Sequence, residues 1–351
     1  MTKGTNIIPT GKLPHDLLEK FLGRYTMQSD EVIVGARIGE DAAVIDIGDH
    51  YLLAKTDPIT FVTEQIGHYA ININANDIAC MGGIPRWFLA TILLPEGKTT
   101  AAITDAIFSQ LSDACKSLEI IFCGGHTEIT RGIDRPIVVG HMLGEVTKDK
   151  LVTSGNAQIN DDIILTKGIA IEATSIIARE CAAELTDLFS AELAEQCKNF
   201  IHEPGISIFK EARIAGSFEH IHAMHDPTEG GLATGLYELA RASGVGLKIE
   251  QDMIEILPEC KLMCDVFDLD PLGLIASGAL LIACHPSISP FLLEKFEENN
   301  ISAGRIGKIM PPDFGNKLIS FDGDEEELPY YPQDEIVAFF NKLNKENYHG
   351  I

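Results

Sequence analysis

The sequence predicts a mixed α/β (α+β) protein of two domains, and three observations lead to this fold class. The chain has 351 residues, which exceeds the roughly 250–300 residues at which a single hydrophobic core stops growing. It is 45% hydrophobic, and its 31 glycines and 16 prolines are spread along the chain, as is typical of globular domains. Strand-like and helix-like segments alternate in both halves. We therefore predict an N-terminal domain over residues 1–155 and a C-terminal α/β domain over residues 156–345.

The elements of the first half follow from hydrophobic periodicity. LPHDLLEKFLGRY has the apolar spacing of a helix. AAVIDI and YLLAKTD are typical of a strand pair joined by a short turn. TEQIGHYAININANDIACMGG is long enough for a helix that ends at its double glycine. PRWFLATILLP, IIFCGG and RPIVVGHMLGEV predict strands, and TTAAITDAIFSQLSDACKSLE predicts a periodic helix.

The second half again alternates strand-like and helix-like segments, after the connector LVTSGNAQINDD. DIILTKG predicts a strand, and IEATSIIARECAAELT and SAELAEQCKNFI predict helices. HIHAMHDPTEGGLATGLYELARASG predicts a strand, a turn and a helix. GVGLKIE, GALLIAC and AGRIGKI predict strands, and ISPFLLEKFEEN predicts a helix. The acidic run FDGDEEELPYYPQDE predicts a solvated tail.

The formal net charge of −25 excludes polyanionic partners. A chain this acidic repels nucleic acid and anionic membrane surfaces, so we expect neither as a partner. The sequence contains no run of about 18 apolar residues, and its N-terminus has no apolar stretch of the signal-peptide kind. The eight cysteines form no repeating framework. We therefore expect reduced, mostly buried thiols and a cytoplasmic protein.

Five acidic residues stand beside glycines or at the ends of apolar runs, whereas P-loop, Rossmann and hydrolase motifs are absent. These acids are Asp41 in IGEDAAV, Asp57 in LLAKTDP, Asp77 in NANDIACMGG, Glu128 in GGHTEIT and Asp226 in MHDPTEGG. Several converging carboxylates would repel one another unless a hard cation lay between them. Mg²⁺ prefers oxygen ligands and usually binds substrate phosphates as well. Taken singly, each acid is also typical of a solvated or capping residue.

The helix that contains Asp77 has one polar stripe on an otherwise apolar surface. His68, Asn72 and Asn76 recur at every fourth position, which places them on one face. Asp77 follows in the last turn, where the helix macrodipole favours cations and disfavours an acid. A locally unfavourable carboxylate indicates a functional site, and a solvated acid at the helix end is the alternative.

A second candidate site is the segment HDPTEGGLATGLYELARASG. Its strand ends at Asp226, and a helix begins after Gly230 and Gly231. N–H groups at a glycine-lined helix start bind anions, and glycine permits the close approach of a phosphate. A tight turn without a ligand is the alternative. Lys12 precedes the first helix, where a flexible basic segment could close over a phosphate or be a solvated residue.

The motifs IGEDAAV, TDPI, NANDIACMGGIPRW, CGGHTEIT, HDPTEGGLATGLYELARASGVGL and DPLGLIASGALLI, in this order, resemble the PurM-like ATP-binding superfamily. The resemblance covers residues 11–310 and is nearest to the HypE family of hydrogenase-maturation proteins, which is related to AIR synthase. It implies a two-domain PurM/AIR synthase-like fold in which the N-terminal sheets of two copies pair into a barrel, so that the protein is a homodimer. It also implies ATP between the domains, Mg²⁺ on the phosphates, and a small-molecule acceptor that the sequence does not identify.

The same resemblance implies roles for individual residues. Metal–phosphate carboxylates are implied at Asp41, Asp57 and Asp77. Catalytic residues are implied at Lys12, Asp77 and Asp226. Nucleotide-binding positions are implied at Gly124, Gly125, Thr127, Glu128, Gly230 and Gly231.

Two departures from the family patterns leave the reaction open. The HypE family acts through a cysteine at its C-terminal end, whereas the last cysteine here is Cys284. The family often has Asp after the double glycine, and this chain has His126, which cannot replace a carboxylate on Mg²⁺. The favoured interpretation is an ATP-dependent enzyme that phosphorylates an oxygen of a small acceptor. Thiamine-monophosphate kinase chemistry, a HypE-like maturation factor and a non-catalytic nucleotide-binding partner are the alternatives.

Overall fold

Two β-sheets with helices on their faces make up most of the protein. The structure, a computed structural model, describes residue 8 and residues 10–348. The first sheet is built from the N-terminal half of the chain and the second from the C-terminal half. This confirms the mixed α/β class with two sheet-containing domains. The domain boundary near residue 155 and the dimeric barrel stay predictions.

The first sheet has the strand order β1-β2-β3-β6-β4-β5. Its strands are Val32–Val34 (β1), Ala43–Asp46 (β2), His50–Ile59 (β3), Ile84–Pro95 (β4), Ile121–Thr130 (β5) and Ile137–Thr147 (β6). Neighbours are antiparallel except β4 and β5, which are parallel and are therefore joined through a helix. The helices of this half are His15–Tyr25 (α1), Ile66–Cys80 (α2) and Ala101–Ser117 (α3).

The second sheet has the strand order β13-β12-β9-β11-β7-β10-β8. Its strands are Asp162–Thr166 (β7), Ile221–His225 (β8), Gly246–Glu250 (β9), Leu281–Cys284 (β10), Ala303–Met310 (β11), Asn316–Ile319 (β12) and Glu325–Glu327 (β13). Within this sheet, β9 and β12 are parallel, and the other described strand pairs are antiparallel. The helices are Ile171–Glu180 (α4), Ala182–Leu188 (α5), Ala191–Lys198 (α6), Phe209–Ala215 (α7), Gly231–Ser243 (α8), Pro258–Phe267 (α9), Ser289–Glu298 (α10) and Glu335–Tyr348 (α11).

Helix α2 lies between the two halves of the chain. Nearly all of its residues are buried, as expected of a helix that is apolar on most sides. It packs on β3 and β6, and it also contacts α7 and β8 of the second half. The Asn76 side chain donates to the carbonyl of Ile206 at 2.9 Å and accepts from the N–H of Ile208 at 3.0 Å. Part of the predicted polar stripe therefore joins the two halves.

Strand β5 is longer than the sequence pattern indicated. We expected a strand that ends at the double glycine, but β5 continues through it and pairs with β4 as far as Thr130. Gly125 permits this close pairing, because a Cβ there would lie 1.9 Å from the carbonyl oxygen of Ala90. The segment is thus an edge strand of the sheet rather than a loop.

The prediction of a solvated acidic tail is wrong for its second part. Leu328 and Asp334 are buried, and helix α11 places Ile336 and Phe339 in the hydrophobic core. Local charge density misled the prediction because packing depends on the apolar residues that follow. Among the described residues, no helix combines the length and apolarity needed to cross a bilayer. Cys123 on β5 is exposed, and the other seven cysteines are buried.

Candidate functional site

Four of the five predicted carboxylates meet at one cavity of about 420 Å³ that is lined by both halves of the chain. Asp41, Asp57, Asp77 and Asp226 all line it, together with Lys12. Eight further ionisable residues that the sequence did not single out also line it: Arg37, Glu40, Lys55, Glu172, His15, His225, Glu229 and Glu238. The cavity is therefore rich in carboxylates, which mutually repel unless cations are present.

Strand and helix ends position these carboxylates. Asp57 is near the end of β3, Asp77 is in the last turn of α2, and Asp226 directly follows β8. Lys55 lies two residues before Asp57, so the two side chains point to the same face of β3. Mouths of sheets are common places for binding residues, because the strands fix the backbone while the ends remain accessible.

A buried chain of charged groups runs from Asp41 to Glu238. His225 lies 2.7 Å through Nδ1 from Oδ1 of Asp41 and 3.1 Å through Nε2 from Oε2 of Glu238. Carboxylates only accept, so both imidazole nitrogens donate and His225 is an imidazolium. Burial alone would lower its pKa, but these two carboxylates raise the pKa of His225 well above its ordinary value. The second oxygen of Asp41 accepts from Ser154 Oγ at 2.9 Å.

Lys55 pairs with two of the predicted metal carboxylates. Its Nζ lies 2.9 Å from Oδ1 of Asp77 and 3.6 Å from Oδ2 of Asp57. Burial favours the neutral amine, but the two carboxylates raise the pKa of Lys55 well above its ordinary value. Oδ2 of Asp77 has no hydrogen-bond partner within the described chain. Asp77 is therefore not a solvated acid at the helix end, which was the alternative interpretation. It forms a buried ion pair with Lys55.

Asp226 is a buried acid of the cavity whose hydrogen bonds are incomplete. Its Oδ1 lies 3.6 Å from Cys80 Sγ, and its Oδ2 has no partner among the described residues. Burial, with the nearby charge of Asp41, raises the pKa of Asp226 to about 7. One possible ligand atom from each of Asp41, His225 and Asp226 lies within 4.8 Å of the others. Because His225 is an imidazolium, only the carboxylates of Asp41 and Asp226 in this group could bind a cation.

The segment before α1 covers part of the cavity. Lys12 Nζ lies 3.4 Å from Oε1 of Glu238 and 3.4 Å from Oγ1 of Thr228. His15 Nε2 also lies 3.4 Å from Glu238. The residues of α1 are exposed or half-buried, and the ion pairs of Lys12 and His15 with Glu238 help to hold this segment over the cavity.

The double glycine Gly230–Gly231 at the start of α8 contacts other parts of the protein itself. The N–H of Gly230 donates to Oδ2 of Asp334 at 2.6 Å, and Asp334 also accepts from the N–H groups of Ile275 and Ile336. A Cβ on Gly231 would lie 2.4 Å from the carbonyl oxygen of Leu272. The close approach that these glycines permit is therefore to the chain itself. Gly230 lines a smaller neighbouring cavity of about 80 Å³.

The remaining predicted nucleotide-binding residues lie elsewhere. Gly124, Gly125, Thr127 and Glu128 are exposed on edge strand β5 and are not among the residues that line the large cavity. His126 is also exposed, and its Nε2 lies 3.2 Å from Glu128. The role of these four residues in nucleotide binding stays a prediction, since this chain alone does not bring them to the carboxylates.

Lys55, Glu172, His225 and Glu238 are the main residues that the sequence analysis missed. Two of them carried a local signal: Lys55 shares a strand face with Asp57, and His225 precedes Asp226. Glu238 lies seven residues after Gly231, on the face of α8 that begins at the turn. Glu172 carried no signal in the sequence beyond its place in an apolar helix.

Comparison with known proteins follows the same division of the chain. The family described as AIR synthase related protein, N-terminal domain, matches residues 39–146, and its C-terminal domain counterpart matches residues 158–315. The chain is 25% identical over 299 residues to carbamoyl dehydratase HypE of Rhizobium leguminosarum bv. viciae, covering 82% of each chain. It is 28% identical over 221 residues to thiamine-monophosphate kinase of Bacillus subtilis, covering 62% of each.

The fold also resembles solved structures. The crystal structure of hydrogenase maturation protein HypE in complex with ATP superposes with a TM-score of 0.69 at 20% identity, covering 92% of this chain and 96% of that one.

Proposed function

The chain belongs to the family of AIR synthase-related proteins, and from this premise we propose that it is an ATP- and Mg²⁺-dependent enzyme that passes a phosphoryl group to an oxygen of a small acceptor. The observation that carries the proposal is the convergence of Asp41, Asp57, Asp77 and Asp226 with two lysines on one cavity. The solved HypE–ATP complex and the related kinase and dehydratase support the same class of substrate.

The donor atoms of the cavity fit a divalent cation. The Oδ2 atoms of Asp77 and Asp226 are buried without a partner among the described residues, and buried polar atoms in this state indicate a ligand. Both nitrogens of His225 are engaged, so we assign the cation to Asp41, Asp57, Asp77 and Asp226, whose oxygens suit Mg²⁺. When bound, the cation would screen phosphate charge and stabilise the transferring group.

Lys12 and Lys55 provide positive charge from the protein. Lys55 is fixed by Asp77 and Asp57, and Lys12 is held by Glu238 and Thr228. Fixed charges at a buried site stabilise developing negative charge without reorganisation. Phosphoryl transfer then needs positioning rather than a covalent nucleophile. Lys12, Asp77 and Asp226 are accordingly the proposed catalytic residues.

We also propose that the protein works as a homodimer through β5. This strand is the edge of its sheet, and Ile121 and Ile129 on it are each 61% exposed. An exposed edge with apolar side chains is a template for pairing with another strand. In a dimer of this kind, Gly124 and Glu128 would lie against the second copy rather than at the cavity of their own chain.

Nucleotide binding by wild-type protein and two Asp→Asn variants tests the proposed function. Isothermal titration with AMPPNP is expected to give binding in the presence of Mg²⁺ and little without it. Asp77→Asn is expected to weaken this binding by about tenfold or more, since it removes a proposed ligand. Asp113→Asn, a matched change on the exposed side of α3, is expected to have no effect. Equal binding by the Asp77 variant would refute the metal assignment.

Turnover separates the enzyme from its alternatives. Wild-type protein with ATP, Mg²⁺ and a panel of acceptors, thiamine monophosphate among them, is expected to release ADP faster with one acceptor than with water. Release with thiamine monophosphate would favour the kinase chemistry of the Bacillus relative. Tight nucleotide binding without turnover on any acceptor would favour a non-catalytic binding partner.

A further inference from the structure

Asp41 is shared between the proposed cation site and a chain of charged side chains that leads away from it. Its carboxylate lines the large cavity, and one of its possible ligand atoms lies within 4.8 Å of one from Asp226. The same carboxylate accepts from His225 through Oδ1 at 2.7 Å and from Ser154 through Oδ2 at 2.9 Å. A change in the charge of Asp41 therefore acts directly on His225.

Glu238 is shared in the same way at the other end of the chain of charges. Its Oε2 accepts from His225 at 3.1 Å, whereas its Oε1 lies 3.4 Å from Lys12 and 3.4 Å from His15. Both His225 and Glu238 are buried, so dissolved ions screen their interaction little. One buried carboxylate thus divides its charge between an imidazolium and the segment before α1.

The contact between Glu238 and Lys12 is weak enough to be exchanged. N–H···O hydrogen bonds are usually about 2.7–3.2 Å long, and both contacts of Lys12 Nζ, with Glu238 and with Thr228, are 3.4 Å. The Lys12 side chain is 39% exposed, and ion pairs open to solvent contribute little to stability. Lys12 can therefore leave Glu238 for another anion in the cavity without unfolding of the chain.

The alternation of charge along these side chains fixes the direction of the effect. The signs alternate in the order Asp41 (−), His225 (+), Glu238 (−) and Lys12 (+). When Asp41 loses negative charge, the imidazolium of His225 interacts more strongly with Glu238. Glu238 then attracts Lys12 less, because more of its charge is compensated from within the protein. A loss of charge at Asp41 should therefore release Lys12.

We propose that His225 and Glu238 are positioning residues that couple the occupancy of Asp41 to the position of Lys12. Glu238 holds Lys12 while Asp41 has no cation. A cation at Asp41 releases Lys12, whose ammonium group then pairs with a phosphate in the cavity. The inference rests on the proposed function for the cation and the phosphate, but the coupling through His225 requires neither.

Amine labelling of the full chain tests the coupling without any cation. A short exposure to acetic anhydride acetylates lysines, and mass spectrometry compares Lys12 with Lys261, an exposed lysine on α9. Asp41→Asn removes the charge of Asp41 and keeps its shape. In metal-free buffer, Lys12 is expected to react about threefold faster in this variant than in wild-type protein, relative to Lys261, which is the scale of one partly exposed ion pair. Equal labelling would overturn the proposal.

A double-mutant cycle separates this coupling from a direct effect of Asp41 on Lys12. His225→Gln has no charge to share between the two carboxylates, so Asp41→Asn is expected to leave the labelling of Lys12 unchanged in this background. A threefold effect that persists there would overturn the proposal. Glu238→Gln removes the next member of the chain of charges and replaces His225→Gln if that variant does not fold.

A matched control shows that the loss of the effect is specific. His50→Gln changes a histidine that pairs with Glu145 at 3.3 Å on the first sheet. In the His50→Gln background, Asp41→Asn is expected to accelerate the labelling of Lys12 as it does in wild-type protein. Loss of the effect in this background as well would overturn the assignment to His225.

Mg²⁺ tests the role of the cation. Lys12 of wild-type protein is expected to react about threefold faster with Mg²⁺ than without it, and AMPPNP added with Mg²⁺ should slow the reaction again. No response to Mg²⁺, with AMPPNP binding intact in calorimetry, would overturn the coupling and keep the proposed function. No binding of AMPPNP with Mg²⁺, together with faster labelling in Asp41→Asn, would refute the proposed function and keep the coupling through His225.

Discussion

Glu172→Gln should make the protein more stable than wild type, by an amount that grows with pH. Burial raises the pKa of Glu172 from 4.5 to about 8, so the folded state holds a proton that the unfolded state releases. The stability contributed by the neutral carboxyl is fully present below pH 4.5 and is lost as pH rises through about 8. Glutamine has the same shape and no proton to lose in this range.

The expected size of the effect follows from the two pKa values. Each pKa unit is worth about 1.36 kcal/mol, and nearly the whole interval between pH 5 and pH 8 lies between the ordinary and the raised value. The stability advantage of Glu172→Gln should therefore increase by roughly 3–4 kcal/mol between pH 5 and pH 8. The carboxyl is almost fully buried, so solvent does little to reduce this figure.

Urea unfolding of both proteins at pH 5, 6, 7 and 8 measures this difference. The ionic strength is held constant, and no nucleotide or divalent cation is added, since either would stabilise the folded state by binding. Using the difference between the two proteins cancels the contributions of all other titrating groups. A difference in unfolding free energy that stays constant across this pH range would refute the assignment of Glu172 as a buried neutral acid.

Three further predictions concern other parts of the structure. Glu238→Gln removes the charge that holds Lys12, so trypsin should cut the segment before and within α1 faster than in wild-type protein. Arg241→Gln serves as the control, because it releases only exposed ion pairs with α1 and should change the unfolding free energy by at most about 1 kcal/mol. Asp334→Ala leaves buried N–H groups without an acceptor and should destabilise the protein by about 1–3 kcal/mol in urea unfolding; an unchanged midpoint would contradict this role. Ellman's reagent should label one thiol per chain quickly, because Cys123 is the exposed cysteine, and Cys123→Ser should abolish this fast phase. Slower labelling of Cys123 at higher protein concentration would support the pairing of β5 with a second copy.

The elements that formed from local pattern were predicted well from the sequence. The long apolar segment of α2 ends before its double glycine, and α8 ends at Gly244, which adopts a left-handed conformation as helix-ending glycines do. Asp41, Asp57, Asp77 and Asp226 were recognised because each lies at the end of an element, and such ends meet at the mouth of a site. These features depend on neighbours in the chain.

The remainder depends on contacts between distant residues. Lys12 and Glu238 are 226 positions apart, and nothing near either residue in sequence indicates the other. Asp334 lies in an acidic run whose composition is typical of a solvated surface. Its carboxylate is nevertheless buried, and it accepts a hydrogen bond from the N–H of Gly230. Gly124 is exposed because β5 is an edge strand of its sheet. The sequence pattern predicts strands but does not predict their order in a sheet.

The two outer segments of the chain meet at the same place. Gln333 donates through Nε2 to the carbonyl of Thr10 at 2.6 Å, next to the point where Asp334 binds Gly230 and Lys12 reaches Glu238. Residues that are 323 positions apart thus lie together beside the smaller cavity of about 80 Å³, which Gly11, Lys12 and Gln333 line. We therefore expect an alteration of the segment that leads into α11 to disturb the position of Lys12 at the carboxylate cavity, because Gln333 holds Thr10, two residues before Lys12.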